Sequence, residues 1–184
     1  MITIVSGLPR SGTSMCMQML EAGGLPTLGD GFRAPDEDNP RGYYEYERVK
    51  NLAEDASWLE LAEGKVIKVV SALLQHLPEE HEYRILFMRR PFQEVLASQA
   101  AMLTRRNEEP GPDDRAMASY FRDHLSKVEE WLTTKPNMKT LDIEYHEVLN
   151  HPAQEAARMA GFLDLSLKVD AMADAVERAL HRHR

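Results

Sequence analysis

The sequence predicts a single α/β domain of three layers, with a central, mostly parallel sheet of four to five strands flanked by helices. Three observations lead there. Short apolar runs rich in Val and Ile alternate with longer stretches of helical period. The first of those runs leads straight into a glycine-bounded loop and then into a helix. The 184 residues hold no internal repeat, low-complexity tract or linker, which suits one domain covering the whole chain.

Ile2, Ile4 and Val5 make the first strand, and Gly7 breaks it. A helix is expected from about Gly12 to Ala22, stopped by Gly23-Gly24. Residues 23–42 hold five of the ten glycines and three of the ten prolines. A compact domain seldom carries such a loop of ~20 residues without a use, so it reads as a lid or substrate wall. A helix over about Glu45–Leu61 follows, then strands at Lys65–Val70 and Tyr83–Met88. Pro91 suits the first turn of a helix to Thr104, whose Phe92, Val95, Leu96 and Leu103 lie near one face. Residues 105–114, with Pro110 and Pro112, read as a second loop, and Asp113 or Asp114 caps a long helix to about Thr133. Met138–Asp142 reads as a fourth strand. Pro152 opens a helix in which Ala156, Met159, Ala160 and Leu163 share a face, and a last helix covers about Asp170–His181.

Composition narrows the function. A formal net charge of −8 argues against a broad polyanion-binding face, and so against nucleic acid as a partner. Clustered basic groups stand out in such a chain. Cys16 is the single cysteine, which excludes an internal disulfide framework and fits a reducing compartment. No apolar run approaches the ~20 residues that span a membrane. A core strand that starts at residue 2 leaves no room for a signal peptide, so the expected location is the cytoplasm. The sequence leaves a homodimer open.

From Gly7 the spacing is G-x-x-x-x-G-T-S, the phosphate-cradling spacing of P-loop-type folds, with Thr13 where that motif has its lysine. Gly7 and Gly12 permit backbone angles that turn successive N–H groups inward, and the helix that follows adds its positive dipole end. Thr13 cannot bridge the β- and γ-phosphates of a nucleoside triphosphate as the lysine does. Arg10, inside the loop, presents a planar guanidinium to an oxyanion instead.

A second constellation is the strand Arg84–Met88 ending in Arg89-Arg90-Pro91, with Ser98 eight residues beyond Arg90. An apolar strand thus delivers two arginines at its carboxyl end, where open α/β sheets place ligands. Ser98, about two turns into the next helix, approaches a group held by the strand-end arginine, so guanidinium and hydroxyl together clamp one phosphate.

The loop Pro9-Arg10-Ser11-Gly12-Thr13-Ser14 resembles the 5′-phosphosulfate loop of the sulfotransferases, and Arg90 followed by Ser98 matches their 3′-phosphate motif. Asp38-Asn-Pro-Arg-Gly-Tyr-Tyr-Glu45 is similar to a segment common in bacterial members. Tyr145-His-Glu-Val-Leu149 through Gly161-Phe-Leu163, and the closing Leu180-His-Arg-His-Arg184, are similar to the family's endings, so the resemblance covers essentially the whole chain. It implies 3′-phosphoadenosine-5′-phosphosulfate (PAPS) as co-substrate, with its sulfuryl group moving to a hydroxyl or amine of a small-molecule, sugar or lipid acceptor. By motif position, Pro9, Arg10, Ser11, Gly12, Thr13 and Ser14 form the 5′-phosphosulfate site, while Arg90 and Ser98 hold the 3′-phosphate. Lys68 stands where many members place a lysine beside the transferring group.

Sulfuryl transfer needs in-line geometry and relief of negative charge on the leaving oxygen, a task for Arg10, Lys68 and backbone N–H groups. No metal is expected, because cationic side chains can neutralise the leaving group. The animal cytosolic branch has a Lys-Thr-His segment with histidine as base, whereas this chain reads Lys68-Val-Val-Ser71. Other branches use a glutamate, and by position Glu45 is the candidate base, ahead of Asp36, Asp38 and Glu47. Phe32, Tyr43, Tyr44 and Tyr46 near the lid suggest partly apolar acceptor contact.

Other residues read as structure. Met15, Met17, Met19, Cys16, Trp58 and Trp131 read as packing, and Arg105-Arg106 as a solvated helix end. Two alternatives remain open: a P-loop kinase or nucleoside triphosphatase acting on a small molecule, with Asp142 as its only passable magnesium acid, and a nucleotide-binding relative without catalysis. For the latter speak the chain's brevity and the lack of the Gly/Lys-rich donor loop that many sulfotransferases carry near the C-terminus.

Overall fold

Residues 1–30, 44–108 and 113–180 are described by the computed structural model, with side chains to residue 176. Phe32, Asp36, Asp38, Tyr43, Pro110, Pro112 and the 181–184 tail lie outside the described residues.

Strand β1 (Ile2–Gly7) is buried along its whole length. The reason is its place in the sheet. Strands β2 (Val66–Lys68), β3 (Tyr83–Arg89) and β4 (Met138–Glu144) complete a four-stranded parallel sheet of order β2-β1-β3-β4, so β1 has a neighbour on each side. Helices cover both faces, and an inner parallel strand then needs apolar side chains on both. Ile2, Ile4 and Val5 are fully buried, each contributing about 1.5–3 kcal/mol on transfer from water.

Side chains alternate across the sheet. Ile4, Ile67, Ile85 and Phe87 face one core with α2 (Phe92–Arg105), α3 (Asp114–Thr133) and the fully buried Trp58 and Leu59. Val5, Val66, Leu86 and Met88 face the other, formed with α1 (Thr13–Ala22), α4 (Tyr145–Asn150), α5 (Pro152–Leu163) and α6 (Val169–Leu180). The outcome is the expected three-layer α/β domain. Among the described residues no helix is long and apolar enough to cross a membrane.

Three elements differ from the sequence reading. The helix expected over Glu45–Leu61 is two 3-10 segments, Glu47–Asn51 and Ser57–Ala62. Asp55 breaks it: its Oδ1 accepts from both the backbone N–H (3.0 Å) and the hydroxyl (2.6 Å) of Ser57, drawing the backbone into a turn. Strand two shrinks to Val66–Lys68, because Ser71–His76 turns into a 3-10 segment that packs on α3. Residues Tyr145–Asn150 form a short helix that the pattern did not show. Within the Gly/Pro-rich stretch, Thr27 bridges Val66 and extends the sheet edge. Asp113 caps α3 as expected, its Oδ2 accepting from Ala116 N–H at 3.3 Å.

Cys16 sits in the core on α1 with no exposed surface, and burial pushes its thiol up to about 12. The thiolate is the reactive form. A thiol-alkylating reagent at neutral pH should therefore leave native protein unmodified and label it fully in concentrated urea, as read by intact-mass spectrometry.

Candidate functional site

The β1–α1 turn is shaped by three residues of positive φ. Gly7 has φ 144°, Arg10 φ 68° and Gly12 φ 99°. A Cβ on Gly7 would stand 2.6 Å from Ser11 Oγ and 2.8 Å from the Met88 carbonyl oxygen, and one on Gly12 would stand 2.7 Å from Tyr145 Cδ2. Both positions thus need glycine for space as well as for backbone angle. Arg10 has no such excuse. A non-glycine residue held left-handed is strained, and surrounding contacts must hold it there.

Arg10 Nε donates to Ser98 Oγ on α2 at 3.0 Å, and Arg90 Nη1 donates to the Arg10 carbonyl oxygen at 3.1 Å. The structure therefore gathers Arg10, Arg90 and Ser98, with Arg10 as the common member. Gly12 caps α1 without a side-chain bond, and the first-turn N–H groups of a helix have no partner within it. Pro9 is exposed, Ser11 and Thr13 are buried, and Ser14 is half-buried. Ser11 Oγ has no hydrogen-bond partner among the described residues. Guanidinium groups, hydroxyls and helix-end amides in this arrangement can hold an oxyanion.

The two strand-end arginines part company. Alternation along β3, carried one residue past its end, puts Arg89 on the face of Phe87 and Arg90 on the face of Met88. Arg89 stacks over the Phe87 ring at 4.3 Å and pairs with Glu129 of α3 (2.6 Å) and Asp142 of β4 (2.8 Å). It clasps three elements. Arg90 stacks over Tyr145 at 4.2 Å, and its Nε donates to Glu94 Oε2 at 3.0 Å, while Glu94 Oε1 lies 2.6 Å from His146 Nε2. Sequence reasoning missed Glu94, Tyr145 and His146 as members of the site. The i,i+4 spacing of Arg90 and Glu94 was a signal; nothing local placed α4 beside the loop.

On the other side of β1, Lys68 pairs in register with Val5 and shares the sheet face of Val66. Its Nζ lies 3.9 Å from Glu45 Oε1, so these two predicted residues also meet. The segment bearing Glu45 is pinned: Tyr44 donates to Glu21 of α1 (2.6 Å), Asp30 N–H to the Glu45 carbonyl (3.2 Å), and Glu47 N–H to Asp30 (2.5 Å). A cleft of about 490 Å³ opens beside Ser11 and Arg90 and runs along Leu125 and Glu129 of α3.

Close packing at Gly12 sets a stability test. Gly12→Ala combines φ 99° with a collision against the Tyr145 ring and should lose about 2 kcal/mol. Gly161→Ala, in open space on α5, should gain about 0.5–1 kcal/mol. Urea unfolding of both variants measures the contrast.

No protein-family model and no curated protein matches the chain. Among solved structures it is similar to an unliganded sugar kinase from a Janibacter species, at 17% identity and a TM-score of 0.48, over 91% of this chain and 96% of that one. A likeness at that level assigns no activity.

Proposed function

We propose that the chain is a sulfotransferase that moves a sulfuryl group from 3′-phosphoadenosine-5′-phosphosulfate to a hydroxyl or amine of a small-molecule, sugar or lipid acceptor. The observation that supports this is the meeting of Arg10, Arg90 and Ser98 beside a glycine-bent loop that has Thr13 in place of lysine. Such a donor carries anionic groups at both its 5′ and 3′ positions. The loop offers one cradle, and the arginine–serine pair offers a second cation with a hydroxyl. The unpartnered Ser11 Oγ is a group that an oxyanion would satisfy.

In this reading Pro9 shapes the loop, while Ser11, Gly12, Thr13 and Ser14 hold the 5′-phosphosulfate through N–H groups and hydroxyls. Arg90 and Ser98 take the 3′-phosphate. Arg10 and Lys68 offset the negative charge that grows on the leaving oxygen. Glu45 takes the acceptor proton as sulfur bonds to the acceptor oxygen or nitrogen and the S–O bond to the 5′-phosphate breaks. The donor, when bound, supplies the sulfuryl group and leaves as adenosine 3′,5′-bisphosphate.

Phosphoryl transfer to a small molecule is the second reading, favoured by the loop spacing and by the parallel order that puts β1 between two strands. It needs a phosphate-bridging cation at position 13 and an acid for magnesium. Thr13 supplies no charge, and Asp142, two residues short of the end of β4, is paired with Arg89.

Calorimetry separates the two. The proposal expects adenosine 3′,5′-bisphosphate to bind more tightly without magnesium than ATP does with it; the reverse order sinks it. Arg90→Ala should weaken the bisphosphate about 10–100-fold, the loss of a charge-assisted contact, and Ser98→Ala by less. Undiminished binding in both variants overturns the site assignment.

A further inference from the structure

We infer that Glu94 and His146 are positioning residues for Arg90, fixing the direction in which its guanidinium meets the loop. The inference rests on the sulfotransferase reading only for the identity of the anion that Arg90 receives.

Arg90 is held on three sides. Glu94 Oε2 accepts from its Nε at 3.0 Å, the Arg10 carbonyl accepts from Nη1 at 3.1 Å, and the Tyr145 ring lies 4.2 Å beneath the guanidinium. One of these restraints, the pair with Glu94, would hold loosely alone. An i,i+4 pair on a helix is ordinarily a weak and mobile contact. Here Glu94 is itself braced, because its second oxygen lies 2.6 Å from Nε2 of His146, which arrives from α4, 52 residues along the chain. The carboxylate therefore spans α2 and α4 and cannot swing without breaking one end. His146, and Arg90 after it, hold the Glu94 carboxyl below its usual range, so it stays an ionised acceptor. With the Nε edge taken, the Nη end is turned toward the loop, which is where an anion must be met.

Two opposed effects make the inference sharp. A carboxylate next to an anion site repels the anion, so a bystander Glu94 would weaken binding and its removal would tighten it. A positioning Glu94 does the reverse, because Arg90 without it loses its aim.

The test uses the full chain and two ligands, adenosine 3′,5′-bisphosphate and adenosine 5′-phosphate, whose affinity ratio isolates what the 3′-phosphate adds. Glu94→Ala should cut that ratio about tenfold, the scale of one charge-assisted contact. Glu94→Gln, which keeps an acceptor oxygen for Nε, should restore most of it, and His146→Ala should give a partial loss. A ligand-free readout accompanies these: the Arg90 Nε–H resonance, assigned by its disappearance in Arg90→Lys, should be protected from solvent exchange in wild type and Glu94→Gln and lose protection in Glu94→Ala. A ratio that rises or holds in Glu94→Ala, or an Arg90 resonance indifferent to it, overturns the inference. A wild-type ratio of one beside the expected resonance behaviour supports the positioning and defeats the nucleotide reading instead.

Discussion

The hydrogen bond from Arg90 to the carbonyl of Arg10, 3.1 Å long, ties the end of β3 to the loop that follows β1. Much of the site depends on it. Arg10 is held at φ 68°, an angle its Cβ disfavours. A bond to its carbonyl and a bond from its Nε to Ser98 pin the residue from both ends. The loop can keep this conformation only because β1 and β3 pair in register up to Gly7 and Met88, which brings the two strand ends level. The buried parallel sheet is thus the rigid part, and the strained turn is the part it supports.

The fold was legible where periodicity is strong and local. Strand β1, the strand before Arg89 and helices α2, α3 and α5 follow from apolar runs, a proline at a helix start and an aspartate cap. The readings that failed involve competition between nearby groups. Asp55 draws Ser57 into a turn inside a stretch whose apolar residues keep helical spacing. Val69 and Val70 have strand propensity, yet pairing stops at Lys68 because β2 is an edge strand whose chain must turn toward α3. Tyr145–Asn150 is too short to leave a periodic signal.

The site was legible in residue types and opaque in partnership. Gly7, Gly12, Arg10, Arg90 and Ser98 stand out because each supplies a backbone freedom, a charge or a spaced hydroxyl. The spacing suggested that Arg90 and Ser98 meet over a common anion. The structure joins each of them to Arg10, through two contacts across 88 and 80 residues that no local pattern encodes. The doublet Arg89-Arg90 puts two cations at a strand end, and the spacing to Ser98 singled out Arg90. The structure separates the two: Phe87 and Arg89 turn to α3, Met88 and Arg90 to α4.

That alternation also orders the site across the sheet. Lys68 shares the face of Val66, and Arg90 that of Met88, and both faces belong to the α1 side. Between β2 and β3 lies one intervening strand, so the two cations flank the loop at two strand spacings, about 10 Å across the sheet. Each carries its own carboxylate, Glu45 for Lys68 and Glu94 for Arg90. A single phosphate cannot engage both ends. A ligand anionic at two places can, and it gains most where its two charges match the spacing that the sheet fixes. In the proposed reading, that ligand is a nucleotide with anionic groups at both its 5′ and 3′ positions.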